Sequence, residues 1–478
     1  MSFTTEQLQA AITGTEENRV EALRQLLGYP VKQRDREGSR FWFLRPGADK
    51  SEAEETCPIA VGFYPELNVA TDQELKRFLT SKEQQQEIYG HYTSRVSEQQ
   101  PVMYLLLPAA SQKGRVALVL PTEGGLRQRQ IQTFEWNDRE LLGRLGRLQQ
   151  GMLRVASRAL LSIPQIDWVF YPGVRTAEKL AQLMAEITRQ IEQVIPTVYA
   201  FQGKEGYLHT LFESFKKELL PTLQLKADNE KDYSFADIYA QTVAYGLFTA
   251  RVFGFLKFKQ EQENYPSFTE PDFYRDNAWG CLPETNPFLQ RLFRDISQQP
   301  PETLGEELVG AVSELLSVLR AAEMEAVLSD FQQKIGQEDI IIRFYEDFLK
   351  AYKPEMRERR GVYYTPEPVV SYMVRSVDYL LKDKFNKPLG LADPEVMILD
   401  PACGTGTFLL WICQLIHQRF QESPEVLTEG LADESWSAYV KERLLPRIFG
   451  FELLMAPYAI AHLKLGLFLE ETGYQLGA

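Results

Sequence analysis

Ile398-Leu399-Asp400-Pro401-Ala402-Cys403-Gly404-Thr405-Gly406-Thr407-Phe408 reads as a strand that ends in an acidic, glycine-rich turn and opens directly into a helix. Residues 396–399 supply the apolar run of a buried parallel strand. Gly404 and Gly406 allow the backbone to turn sharply and to approach a ligand with no Cβ in the way. The helix expected over 407–420 starts with free N–H groups facing that ligand. Doubly wound α/β sheets hold nucleoside cofactors in this manner, at the carboxyl ends of their strands.

The glycine spacing also excludes other sites. No Gly-x-x-x-x-Gly-Lys-Ser/Thr occurs, so a phosphate-cradling loop is unsupported. Gly404-x-Gly406 lacks the third glycine of the dinucleotide fingerprint. Upstream lies Gly361-Val362-Tyr363-Tyr364-Thr365-Pro366-Glu367-Pro368. Thr365 suits an N-cap and Pro366 the first helical position. Val369, Val370, Met373, Val374, Val377 and Leu381 then follow at helical spacing. Downstream, Ile448-Phe449-Gly450-Phe451-Glu452 reads as the next parallel strand with an acid at its end, placed to accept both hydroxyls of a ribose. The gap from Asp400 to Glu452 exceeds the roughly 20 residues of the dinucleotide pattern, and a helical stretch over 433–443 accounts for the excess. A further helix opens at Met455-Ala456-Pro457-Tyr458, runs through His462 and Leu467, and stops near Gly473.

Taken together these blocks resemble the N6-adenine DNA methyltransferases, in the γ-class order of parts. The Asp400–Phe408 block is similar to the family's S-adenosylmethionine loop. The tyrosine block is similar to its "G-x-[YF]-[YF]-T-P" segment. The stretch from Gly450 is similar to "G-[FY]-E-x-x-x-x-[AP]-Y-A-[IV]-A-x-L-[KR]-L". The resemblance implies S-adenosyl-L-methionine as cofactor, held by Tyr364, Thr365, Pro366, Asp400, Pro401, Ala402, Cys403, Gly404, Thr405, Gly406, Thr407, Phe408, Glu452 and Leu453. Family roles place the Thr365-Pro366 segment over the methionine end, Asp400 near the methionine amino group and Glu452 on the ribose.

Family members also carry Asn/Asp-Pro-Pro-Tyr/Phe, which binds the flipped adenine. No such string occurs in the 478 residues. Asn286-Pro287-Phe288 has one proline and reads as a loop and helix start. No catalytic residue is therefore assigned. The chain reads as the front part of a longer enzyme of the fused restriction–modification type, whose catalytic motif and target-recognition domain come from further sequence or from a second polypeptide. Double-stranded DNA would be engaged through that complete enzyme. The alternative is a non-catalytic remnant that binds S-adenosylmethionine or a protein partner.

Composition agrees with a globular protein, 44% hydrophobic and 25% charged. No apolar run reaches the 18 residues of a membrane span. The N-terminus lacks the basic and apolar regions of a signal peptide. Cys57, Cys281, Cys403 and Cys413 form no Cys-x-x-Cys pair and no cluster with histidine, which predicts reduced thiols, a cytoplasmic location and no metal. A net charge of −14 is unusual for a DNA binder, whose affinity comes largely from phosphate neutralisation. Lys353, Arg357, Arg359 and Arg360 are a local basic exception.

The expected fold class is α/β, in three parts. Residues 1–200 form a small α/β domain, with a helix over 20–27, strands over 41–44, 59–64, 102–107 and 116–120, and helices over 138–161 and 176–194. The resemblance often places a Mg²⁺ nuclease in this slot, with Glu-x-Lys on a strand. Here Gly62-Phe63-Tyr64 stands instead, and neither Asp35 nor Asp49 is singled out as a ligand. The domain is read as an inactive, nuclease-like or unrelated structural one. Residues 201–355 form a helical connector, with helices over 208–219, 235–253, 303–328 and 340–352. Residues 356–478 hold the first strands of a Rossmann-like methyltransferase sheet. Linkers are expected at 202–206, 298–301 and 384–394.

Overall fold

Ile59-Ala60-Val61-Gly62-Phe63-Tyr64 carries no charge, and in the computed structural model it is a strand buried along its whole length. The structure describes residues 5–35, 39–45, 59–68, 71–96, 102–109, 114–121, 130–157, 170–171, 173–218, 220–227, 234–265, 270, 273–282, 287–335, 340–354 and 365–474. These divide into two units. The first comprises Met1–Thr176, Phe258–Phe273 and Leu304–Glu323, and the second comprises Ala177–Lys257, Tyr274–Thr303 and Met324–Ala478.

The first unit is built on a six-stranded sheet in sequential order. Its strands are β1 (Val31–Arg34), β2 (Phe41–Arg45), β3 (Ile59–Tyr64), β4 (Met103–Pro108), β5 (Arg115–Val119) and β6 (Ile131–Glu135). β3 and β4 run parallel at the centre, and every other pair is antiparallel. A parallel pair needs a crossover, and helices Asp72–Leu79 and Lys82–Val96 supply it. Thr71 starts the first of these in a capping box, its hydroxyl accepting from the Glu74 N–H while Glu74 accepts from the Thr71 N–H.

Alternation sorts the central strands onto two cores. Ile59, Val61, Phe63, Leu105 and Leu118 pack with the helices Thr5–Ile12, Glu16–Leu27 and Arg139–Ser157. Ala60, Tyr64, Tyr104, Leu106 and Ala117 pack on the other face with Leu75, Leu79 and Ile88. Gly62 is required because a Cβ there would lie 2.9 Å from the Phe41 ring and 3.2 Å from Leu106. Asp35 lies beside a histidine. Its carboxylate lies 3.1 Å from His91 Nε2, and His91 Nδ1 lies 2.6 Å from the Tyr104 hydroxyl. Asp49 falls outside the described residues. Among the described residues no group of three or more His, Cys, Asp or Glu is placed to hold a metal.

The expected strands and helices of this region recur with ends moved by a few residues. β1, β6 and the helices Thr5–Ile12, Asp72–Leu79 and Lys82–Val96 were not anticipated.

The second unit begins with helices. Ala177–Phe201, Tyr207–Glu218 and Ile340–Tyr352 lie close to expectation, while the helix expected over 235–253 extends through Phe235–Asn264. The helix expected over 303–328 is instead three, Pro301–Leu304, Glu306–Ala321 and Met324–Ile335, of which the middle one belongs to the first unit. Gly305 at φ +94° and Ala322 in extended backbone break the run. Phe248 stacks on Phe344 with ring centroids 3.8 Å apart.

A polar clamp closes this helical part. The Tyr352 hydroxyl, with one proton to donate, lies 2.7 Å from Glu192 and 2.9 Å from Asp237, and Lys353 Nζ donates to the same two carboxylates at 2.6 and 3.0 Å. Arg189 donates to the carbonyls of Ala351 and Tyr352. Burial, then the Asp237 and Glu192 carboxylates, push the Tyr352 phenol well above its ordinary pKa.

Residues 365–474 form a second, smaller sheet of two parallel strands, β7 (Ile398–Asp400) and β8 (Ile448–Gly450). β7 starts two residues later than expected, because Val396 is held in a turn by its N–H to the Asp393 carbonyl. Helix Glu367–Lys384 contributes Val370 and Val374, and helix Thr407–Glu422 contributes Leu409, to a core with Leu391 and Ile398. Asp378 joins the two helices. Its carboxylate accepts from Arg419 and from the Leu391 N–H (2.9 Å). Only half of the anticipated stripe of the Glu367–Lys384 helix is covered, since Val369, Met373 and Val377 are exposed.

Candidate cofactor-binding site

Asp400 ends β7, and the chain turns there because the next strand holds it. The Phe451 N–H donates to the Asp400 carbonyl and the Cys403 N–H to the Phe451 carbonyl, both at 2.9 Å. Gly404 and Gly406 then take positive φ, +54° and +75°. No heavy atom lies within 4 Å of where a Gly404 Cβ would be, so its glycine serves conformation and an open approach. At Gly406 the packing also decides, because a Cβ would lie 2.9 Å from the Ala461 Cβ. Gly450 is equally constrained, its notional Cβ 2.7 Å from Leu409 and 3.1 Å from Cys403 Sγ.

The two acids stand at the carboxyl ends of adjacent strands. Each commits one oxygen to its own turn: Asp400 Oδ1 accepts from the Ala402 N–H at 3.2 Å and Glu452 Oε1 from the Leu454 N–H at 2.8 Å. The second oxygen of each has no hydrogen-bond partner among the described residues. Both acids act on Cys403. Burial, then the Asp400 and Glu452 charges, push its thiol up to about 11. Cys413 lies in the core of the helix, and burial pushes it up to about 12.

The structure brings Asp400, Pro401, Ala402, Cys403, Gly404, Thr405, Gly406, Thr407, Phe408, Glu452 and Leu453 together around one strand–loop–helix corner. Pro401, Ala402 and Leu453 are exposed, Gly406 is buried and the others are half-buried. Thr365 and Pro366 precede the helix Glu367–Lys384, whose Val370 shares a core with Leu409 and Phe408. Thr365 is not the N-cap. Pro366 takes that place with φ −52° and ψ 136°, and the helix begins at Glu367. Pro368 lies in the first turn, where a missing N–H leaves no helical bond unmade. Tyr364 lies outside the described residues, as do Arg357, Arg359, Arg360 and Asn286.

Two neighbours were not anticipated. Ala461 closes on Gly406, and Lys464, one helical turn further along, places Nζ 3.4 Å from Thr407 Oγ1. Lys464 stands at the [KR] position of the downstream pattern.

Residues 336–470 match the family model for N-6 DNA methylases. No curated protein matches the chain. Among solved structures the chain is similar to that described as the DrdV–DNA complex, at 16% identity and TM-score 0.33, over 99% of this chain and 38% of the other. It is also similar to the ATP-dependent Type ISP restriction-modification enzyme LlaBIII bound to DNA, at 20% identity and TM-score 0.35, over 63% of this chain and 17% of the other. A nuclease-deletion mutant of the Type ISP enzyme LlaGI, in complex with a DNA substrate mimic, gives 20% and 0.35 over 69% and 21%. The chain thus spans at most 38% of the length of these structures. No helix among the described residues is long and apolar enough to cross a membrane.

Proposed function

We propose that residues 365–474 are the S-adenosylmethionine-binding part of an adenine-specific DNA methyltransferase of restriction–modification type. The observation that carries this reading is the corner at the ends of β7 and β8. A loop with two left-handed glycines opens a helix, between two carboxylates that each keep one oxygen for a ligand. That donor and acceptor set fits the cofactor. A carboxylate on Glu452 suits ribose hydroxyls, one on Asp400 suits an ammonium, and the loop backbone suits close approach. The N-6 DNA methylase match over residues 336–470 supports the same reading. When bound, the cofactor would supply the electrophilic methyl group. This chain's residues would bind and orient it.

The group that would receive the adenine lies in no motif of this sequence, so methyl transfer is assigned to an assembly with a further polypeptide segment. The sheet supports that assignment. Leu399 and Phe449 are cross-strand neighbours in the parallel register and are 56% and 44% exposed. Parallel sheets are normally covered on both faces. The missing acceptor motif also supports a second reading, a cofactor-binding remnant without catalysis. The order of parts, with residues 1–200 as an inactive nuclease-like or unrelated structural domain, 201–355 as connector and 356–478 as methyltransferase part, belongs to the first reading, as does double-stranded DNA as partner.

Calorimetric titration of the chain with S-adenosylmethionine tests the proposal. Binding that is lost in Asp400→Ala and Glu452→Ala, both still folded, is the expected result. No binding by the folded wild type would overturn it. Co-expression with a polypeptide carrying Asn/Asp-Pro-Pro-Tyr/Phe separates the two readings, since only the first gains methyl transfer to DNA.

A further inference from the structure

The helix Glu367–Lys384 leaves two different faces uncovered. Val369, Met373, Val377 and Leu380 make an exposed apolar stripe. Tyr372, Arg375, Tyr379 and Lys382 lie three, four and three residues apart, on a second stripe about a third of a turn away. Tyr372 is 74% and Tyr379 64% exposed, and Arg375 and Lys382 are exposed as well. This second stripe is about 15 Å long, and every side chain on it ends in a hydrogen-bond donor. The acids of the helix lie elsewhere. Glu367 is in the first turn, Asp378 is buried, and Asp383 pairs with Lys384 at 2.8 Å.

The positive charge of the stripe is not cancelled. Arg375 has no ion-pair partner among the described residues. Lys382 Nζ lies 3.2 Å from Asp378, but that carboxylate also accepts from Arg419, so two cations share one negative charge. A positive row of donors, on a chain of net charge −14, complements a linear polyanion. Duplex DNA presents its phosphates in such rows, and Arg, Lys and Tyr are among the side chains that hold them. The aliphatic stripe carries no charge and suits apolar protein surface instead. We propose that Tyr372, Arg375, Tyr379 and Lys382 contact the phosphate backbone of duplex DNA, positioning it without reading its sequence. This rests on DNA being the partner of the chain and adds the surface that meets it.

The experiment is fluorescence anisotropy of a labelled duplex, titrated with the whole chain at salt concentrations between about 50 and 200 mM. The wild type should bind unrelated sequences alike, and more weakly as salt rises. Arg375→Gln and Lys382→Gln should each reduce the slope of log K against log salt by about 0.9, and Arg375→Lys should retain it. Tyr372→Phe and Tyr379→Phe remove only hydroxyls, and should each weaken binding by about threefold with the slope kept. Met373→Gln, on the apolar stripe, should bind as the wild type does. All these positions are exposed, so circular dichroism should show every variant folded. A wild type whose affinity and slope survive Arg375→Gln combined with Lys382→Gln overturns the proposal alone and leaves the stripe to a protein partner. Tighter binding of a single strand, kept in the phenylalanine variants, also overturns it, because bases would then stack on the rings. A wild type that binds no duplex removes the DNA reading for this chain, and the proposal falls with it.

Discussion

Gly406 and Ala461 approach so closely that a β-carbon on the glycine would sit 2.9 Å from that of the alanine, and the glycine backbone is left-handed as well. Gly404, also left-handed, faces open space. The two glycines of one loop are therefore constrained differently. Gly404→Ala should destabilise by about 1 kcal/mol, from backbone strain alone. Gly406→Ala adds a collision with helix backbone and should destabilise by about 2–4 kcal/mol. Urea titration of both variants checks the order; equal losses would refute the packing argument.

The Cys403 thiol should be a poor nucleophile. At about 11 it holds roughly a hundredfold less thiolate at pH 8 than an ordinary cysteine. Alkylation followed by peptide mass spectrometry should find it slow, and faster as pH rises. Asp400→Ala and Glu452→Ala each remove a negative neighbour, so either should speed the labelling. A wild-type Cys403 that reacts as fast as free cysteine would contradict the arrangement.

Burial pushes Asp378 up, but Arg419, the Leu391 N–H and Lys382 outweigh it and hold the carboxyl below its ordinary value. A depressed acid stabilises the fold above its unfolded pKa, near 4, and that contribution is lost as pH falls through the folded value. Asp378→Asn should destabilise by about 3 kcal/mol at pH 7, by leaving Arg419 unpaired, and should flatten the acid limb of the stability curve. Thermal melts between pH 7 and pH 3 read both effects; an unchanged acid limb would count against the pairing.

In the helical part, Lys353→Met removes the ammonium that bridges Glu192 and Asp237. A loss of about 2–3 kcal/mol is expected. Asp237→Asn combined with Lys353→Met should lose less than the sum of the two single changes. Strict additivity in this double-mutant cycle would show the contact to be energetically idle.

The site was legible to the extent that it is local. Asp400 to Phe408 specify strand end, turn and helix start within one stretch, and β7, β8 and the helices Thr407–Glu422 and Met455–Glu471 stand close to where the pattern put them. Ala461 and Lys464 both stand in the downstream pattern, but their contacts with the loop come from the packing of another helix, which the pattern does not contain. The edge strands fared worst. Val31-Lys32-Gln33-Arg34 has one apolar residue, and pairing with β2 makes it a strand despite its composition. The helix starts at Glu367 and not at Pro366, because the extended ψ of Pro366 makes it the cap.

The first unit is discontinuous along the chain, ending only with Leu304–Glu323 although most of it lies before Thr176. During synthesis those last residues leave the ribosome well after Thr176 has emerged. At about 5–20 residues per second the delay is roughly 7–30 s. The first unit must wait through that interval without its last segment, so slow translation over 177–303 would lengthen its exposure to chaperones and proteases.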